Sequence, residues 1–267
     1  MIHHRWELEL IVWAAAAALL GALYLRQRQT RDATLVDAGW GVGVALAAIL
    51  AAVLGPGDTG HRVLIGTIGA LENLRVSVLV VRRHSGAEDT RYAELRRRWR
   101  DQGREQLTFA IFYQCQAGLA PLLGIVFVLA AFAHRSLGAL AWAGAALWAV
   151  SVVLEQVADA QLARHRSDPA NRGTTMRSGL WRYSRHPNYF FQFLTWIAYW
   201  LVALEASWGW LGVVSPLLLL TLVIFVTGIG PSEERALAHR GDDYRAYQRE
   251  TSVFIPWFPR KAESRAR

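Results

Sequence analysis

The sequence predicts an all-α fold, a polytopic integral membrane protein with about seven transmembrane helices. Three observations carry this. The 267 residues are 53% hydrophobic and only 19% charged, where soluble domains carry about 25% charged residues. The apolar residues gather into blocks that approach or exceed ~20 residues, the length a helix needs to cross a ~30 Å hydrocarbon core. The basic residues sort onto alternate connections between those blocks. Open sheets are excluded as spans, because their edge groups would go unpaired in lipid. Disorder is excluded by the apolar content, and a disulfide scaffold by Cys115 standing alone.

The predicted spans are 8–25, 34–54, 62–81, 106–133, 137–160, 189–204 and 208–229. The first is too long and leads into another apolar block, so it reads as a retained span rather than a signal peptide. The second begins near Asp37, in Val36-Asp-Ala-Gly-Trp-Gly41. The third contains Glu72, Asn73 and Arg75. The fourth is the longest. The fifth ends with Glu155 and Asp159, one helical turn apart and on one face. The sixth is the shortest and begins after Pro187, which suits the first turn of a helix. The seventh precedes a tail, 230–267, too polar to span.

Of the 29 Lys and Arg residues, 25 fall on one side under this layout. They occupy the 26–31 connection, the loops 82–105 and 161–188, and the tail. Arg5, Arg62 and Arg135 fall on the other side, and Arg75 lies inside a span. The positive-inside rule then places the N-terminus outside and the C-terminus in the cytoplasm, as expected for a bacterial inner membrane. The net charge of +8 is therefore a topology signal and a response to lipid headgroups. It is not a nucleic-acid footprint: no binding module is present and the arginines are spread over four segments. No internal repeat supports transport. No motif for a phosphate loop, dinucleotide fold or metal ligation is found, and nothing marks an obligate protein partner.

Ionisable residues at membrane depth are the first functional candidates, since each costs at least ~2.5–3.5 kcal/mol there. Glu72 and Arg75 can also form a plain structural ion pair, and Asp37 an interfacial cap. The run Arg82-Arg-His-Ser-Gly-Ala-Glu-Asp-Thr-Arg-Tyr92 is dense in groups that match phosphate, including Arg82, Arg83 and Arg91. The following run 94–104, with Arg96, Arg97, Arg98 and Arg100, reads as a solvated juxtamembrane stretch. In Ser178-Gly-Leu-Trp-Arg-Tyr-Ser-Arg-His-Pro-Asn-Tyr-Phe190, the residues Arg185, His186 and Asn188 crowd the start of the sixth span. Free N–H groups and the helix dipole favour an anion there.

Arg185-His-Pro-Asn-Tyr189 after Gly-Leu-Trp-Arg-Tyr resembles the steroid 5-alpha-reductase superfamily, and most of all its bacterial branch. So does a tail of the form Glu-Glu, Tyr-Arg-Ala-Tyr, Phe-Ile-Pro-Trp. The Glu-Asp-Thr-Arg-Tyr92 segment and Glu155 with Asp159 extend the resemblance from about residue 37 to 259. It implies a membrane reductase that takes NADPH from the cytoplasm and passes hydride to the β-carbon of a lipophilic enone such as a 3-oxo-Δ4 steroid. It implies Glu72, Asp37 and Tyr92 near the substrate carbonyl. It implies Arg75, Arg82, Arg83, Asp89, Arg91, Glu155, Asp159, Arg166, Tyr183, Arg185, His186, Asn188, Glu234, Tyr247 and Arg249 around the cofactor. Gln192 stands where eukaryotic members carry a glutamate, so that contact differs. The alternative is an isoprenylcysteine or phospholipid methyltransferase using S-adenosylmethionine, which shares the Arg-His-Pro-x-Tyr run.

Overall fold

The computed structural model describes residues 2, 4–84, 86–226 and 228–260; the end of the predicted tail, 261–267, lies outside them. The protein is all-helical, a polytopic membrane protein with no β-strand among the described residues. The helices are α1 (Arg5–Thr30), α2 (Leu35–Leu54), α3 (Thr59–Arg83), α4 (Thr90–Asp101), α5 (Glu105–Ala130), α6 (Ala139–Ser167), α7 (Pro187–Ala203), α8 (Val214–Thr221) and α9 (Ile229–Glu250). Among the described residues, six stretches are long and apolar enough to cross a membrane. They are α1, α2, α3, α5, α6 and the stretch Gly209–Glu250 that contains α8.

Three expectations change. The sixth predicted span forms α7, whose 17 residues fall just short of a full crossing at 1.5 Å per residue. The seventh is not one regular helix. It is a 3₁₀ stretch Gly209–Val213, then α8, then a π-helical turn Leu222–Val226. The segment 82–105, expected as a loop, contains α4, capped by Asp89, whose side chain accepts the Arg91 N–H.

The chain forms two compact units, Met1–Ala145 with Tyr199–Ser215, and Ala146–Ala198 with Pro216–Arg267. In the first, α2 is the central helix and its buried face is made of small residues: Gly39, Gly41, Gly43, Ala45, Ala47, Ala48 and Ala51. Lipid supplies no hydrophobic drive between helices, so close backbone approach and dispersion do the work. At Gly66 on α3, a Cβ would lie 2.4 Å from the Ala52 Cβ, and at Gly41 a Cβ would lie 2.3 Å from the Ser77 Oγ. Only glycine allows either approach.

Polar networks close both ends of this unit. At one end, the fully buried His61 lies between Glu205 (2.9 Å) and Asp58 (3.4 Å). Glu205 also accepts the Gly138 and Ala141 N–H groups at the start of α6, satisfying donors that a helix N-terminus leaves open. Gly57 and Asp58 donate backbone bonds to the Ala131 and Ala133 carbonyls.

In the second unit, the chain from 251 to 257 runs beside 183–186. Arg185 N donates to the Ser252 carbonyl, Ser184 Oγ to the Phe254 carbonyl, and Trp257 N to the Tyr183 carbonyl. Gly241 (φ 50°, ψ −120°) breaks α9 into two helical pieces. The buried Ala236, before the break, and Tyr244 and Tyr247, after it, pack into one cluster with Leu237.

Candidate functional site

The first unit gathers four of the predicted residues, Asp37, Asp89, Arg91 and Tyr92, at the start of α2. Asp37 lies in the first turn of α2. Tyr92 Oη donates to its Oδ1 at 2.6 Å, and Arg91 Nη2 donates to its Oδ2 at 3.0 Å. Arg91 also forks onto Asp89. The two partners of Asp37 come from α4, 54 and 55 residues away. Tyr92 is buried. Burial, then the Asp37 charge, pushes its hydroxyl well above the ordinary tyrosine range, so the phenol stays protonated and is a donor at any physiological pH.

Near the middle of α3, Glu72 is buried and receives Arg75 through both oxygens, at 2.6 and 3.0 Å. That is the bidentate fork of guanidinium on carboxylate. The Glu72 carboxylate, expected near a substrate carbonyl, is thus held in an ion pair within its own helix. Asn73 and Ser77 turn back onto the Gly69 and Asn73 carbonyls of their own helix. Arg82 and Arg83 close α3 as exposed cations.

The run after residue 94 differs from its expected solvated character. Arg96 is buried, and its guanidinium meets Glu88 at 2.7 and 3.0 Å, Glu105 at 2.8 Å and Gln27 at 3.1 Å. A buried charge must be paired in this way. Arg97, Arg98 and Arg100 are exposed as expected.

In the second unit, Asn188 Nδ2 donates to Asp159 Oδ1 at 3.0 Å. This joins α6, about two turns before its end, to the first turn of α7. The Asn188 Oδ1 atom is buried and has no hydrogen-bond partner. Such an acceptor suits a donor group of a ligand. Glu155 is buried one turn before Asp159 on the same face of α6.

Arg185 and His186 do not stand open to an anion. Arg185 Nε donates to Glu233 Oε1 at 2.6 Å, and Arg185 Nη1 donates to the Gln248 and Thr251 carbonyls. His186 Nε2 is 3.3 Å from the same carboxyl oxygen. Tyr244 Oη and Gln248 Nε2 also donate to Glu233. Four side chains thus converge on Glu233, whose negative charge offsets the cations expected to hold a phosphate. Glu234, the neighbour singled out in the sequence, is exposed, as is Arg249. Tyr247 is buried, with its hydroxyl given to the Trp181 and Ser184 carbonyls. Tyr183 is exposed and meets Phe258 edge-on; Arg166 is exposed on the last turn of α6.

Sequence reasoning missed Glu88, Arg96, Glu105 and Glu233. The periodic signal was present for two of them. Tyr92, Arg96 and Trp99 share one face of α4, and Glu233 and Ala236, three residues apart, share one side of α9 before its break at Gly241.

The model of a family described as "Protein of unknown function (DUF1295)" matches residues 23–251, from within α1 through α9. No curated protein and no solved structure gives a significant match.

Proposed function

The chain belongs to the DUF1295 family, and for this member we propose a membrane reductase that uses NADPH to reduce the C=C bond of a lipophilic enone, such as a 3-oxo-Δ4 steroid. One observation carries the reading. Asp37 and Tyr92, assigned by resemblance to the substrate carbonyl, are joined by a 2.6 Å hydrogen bond across 55 residues of sequence.

The chemistry follows from that pair. Reduction of an enone builds negative charge on the carbonyl oxygen, and a fixed donor in a dry site stabilises it. Tyr92 serves as that donor by turning its single O–H proton from Asp37 to the substrate oxygen, while Arg91 keeps hold of the Asp37 carboxylate. Arg91 on Asp37 offsets the carboxylate charge that would otherwise oppose the developing oxyanion. The Glu72–Arg75 fork adds a second fixed polar pair within α3. NADPH, when bound, supplies the hydride. The residues that fit it in the second unit are Asp159 and Asn188, because the unpaired Asn188 Oδ1 matches an amide or hydroxyl donor. In the same unit the exposed Arg249 on α9 matches phosphate chemistry. Arg185 and His186 act as anchors for the tail.

The test is ligand protection of the purified protein in a thermal-shift assay. NADPH is expected to raise the unfolding temperature while S-adenosylmethionine does not. The reverse would replace the reductase by a methyltransferase. Asn188→Ala is expected to weaken NADPH binding about tenfold, the worth of one well-made hydrogen bond. Affinity equal to the parent would remove Asn188 from the cofactor site.

A further inference from the structure

Arg96 is 5% exposed, and every side of its guanidinium is met. Glu88 takes both Nε–H and Nη2–H, Glu105 takes Nη1–H, Gln27 accepts from Nη2, and the Phe109 ring lies 4.6 Å below. The consequence runs through Glu88. Its Oε1 also accepts the Ala33 N–H at 2.9 Å, and the next residue, Asp89, donates its N–H to Thr34 Oγ1 at 2.8 Å. Two consecutive residues before α4 are thereby pinned to two consecutive residues before α2. That fixes the register of α4 against the first turn of α2, where Asp37 lies. Tyr92 is one turn before Arg96 on the same face, and it is this register that brings its hydroxyl to Asp37.

We infer that Arg96 is a positioning residue: acting through Glu88, it sets Tyr92 and Arg91 on Asp37 without touching the reacting atoms. Its effect on turnover rests on the reductase reading; its effect on the 86–93 segment does not. Lysine cannot replace it, because an ammonium lacks the fork that holds both Glu88 oxygens.

The experiment compares Arg96→Lys and Glu88→Gln with the exposed control Arg98→Lys, in the full-length protein. Hydrogen exchange on the ligand-free protein is expected to show faster exchange of the 86–93 amides in the first two and none in the control. NADPH oxidation with a 3-oxo-Δ4 steroid is expected to show kcat reduced by about 10- to 100-fold, the cost of misplacing a reacting group by up to ~1 Å. The KM for NADPH should stay near the parent value, and kcat is taken per folded protein, so that a general loss of stability does not mimic the effect. If Arg96→Lys does not fold, Glu88→Gln, which keeps the side-chain shape, carries the test. Unchanged exchange overturns the inference, and so does faster exchange with unchanged kcat. A parent that oxidises no NADPH overturns the reductase reading instead, and the exchange result then decides the clamp alone.

Discussion

Glu233→Gln removes one charge from the centre of the second unit's tail contacts and leaves the side-chain shape intact. The carboxylate accepts from Arg185 at 2.6 Å, from Gln248 at 2.9 Å and from Tyr244 at 3.3 Å, with His186 also at 3.3 Å. The amide deprives Arg185, a side chain 11% exposed, of its counter-ion. Breaking a buried pair costs about 3–5 kcal/mol. Arg185 keeps the Gln248 and Thr251 carbonyls and Glu233 is 16% exposed, so about 2–3 kcal/mol is expected. That is a fall of about 5–10 °C in unfolding temperature for a protein of this size.

The pH dependence sharpens this prediction. Burial pushes the Glu233 carboxyl up, but hydrogen bonds from His186 and Arg185 outweigh it and hold the group at about 2, against an ordinary 4.5. A carboxyl depressed on folding stabilises fully above its unfolded value, and that contribution is lost as pH falls through the folded one. The parent should therefore lose this stabilisation between about 4.5 and 2, and the glutamine variant should have none to lose there. The assay is thermal unfolding in detergent at neutral pH and at about pH 3, parent against variant. Other carboxyls titrate in both proteins, so the difference isolates Glu233. Equal unfolding temperatures at neutral pH, or equal slopes across the acid window, would refute the anchoring role.

Gly66→Ala should lower the unfolding temperature, since its Cβ would meet Ala52 at 2.4 Å and overpacking costs about 1–3 kcal/mol. Gly118→Ala, where a Cβ meets nothing within 4 Å, should be neutral or stabilising by up to ~1 kcal/mol through helix propensity; a matching loss at both sites would discard the close-packing account. Tyr92→Phe should leave NADPH affinity intact and cut enone turnover about 100-fold, and unchanged kcat would take Tyr92 out of the chemistry.

The spans were legible because lipid imposes one rule on every residue of a block, so composition and length alone locate a helix. Five of the seven predicted blocks match helices α1, α2, α3, α5 and α6 closely. The last two were less legible for a local reason. Trp208 at positive φ (67°) precedes the 3₁₀ stretch, and the π turn follows α8; average hydropathy carries no trace of such backbone changes. The pairing of Asp37 with Tyr92 follows no local period, and neither does that of His61 with Glu205, 144 residues away. Only a resemblance that already places residues together can suggest such a pair.

The arginine-rich segments show where reading charge by sign alone breaks down. Residues 82–105 look like a basic anchor, yet Glu88, Asp89, Glu94, Asp101 and Glu105 are interspersed there. Three of them take up arginines: Glu88 and Glu105 hold Arg96, and Asp89 holds Arg91. The same holds in the tail, where Glu233 takes up Arg185. Helical period separates the two classes once a helix is assumed. Arg96 lies on the face that carries Tyr92, and Glu233 on the one that carries the buried Ala236, whereas Arg97, Arg98 and Glu234 are exposed. A charge on an aromatic-bearing face must find a counter-charge to be buried at all. In this protein such residues organise the structure, while Arg97 and Arg98 beside Arg96 stay exposed to solvent.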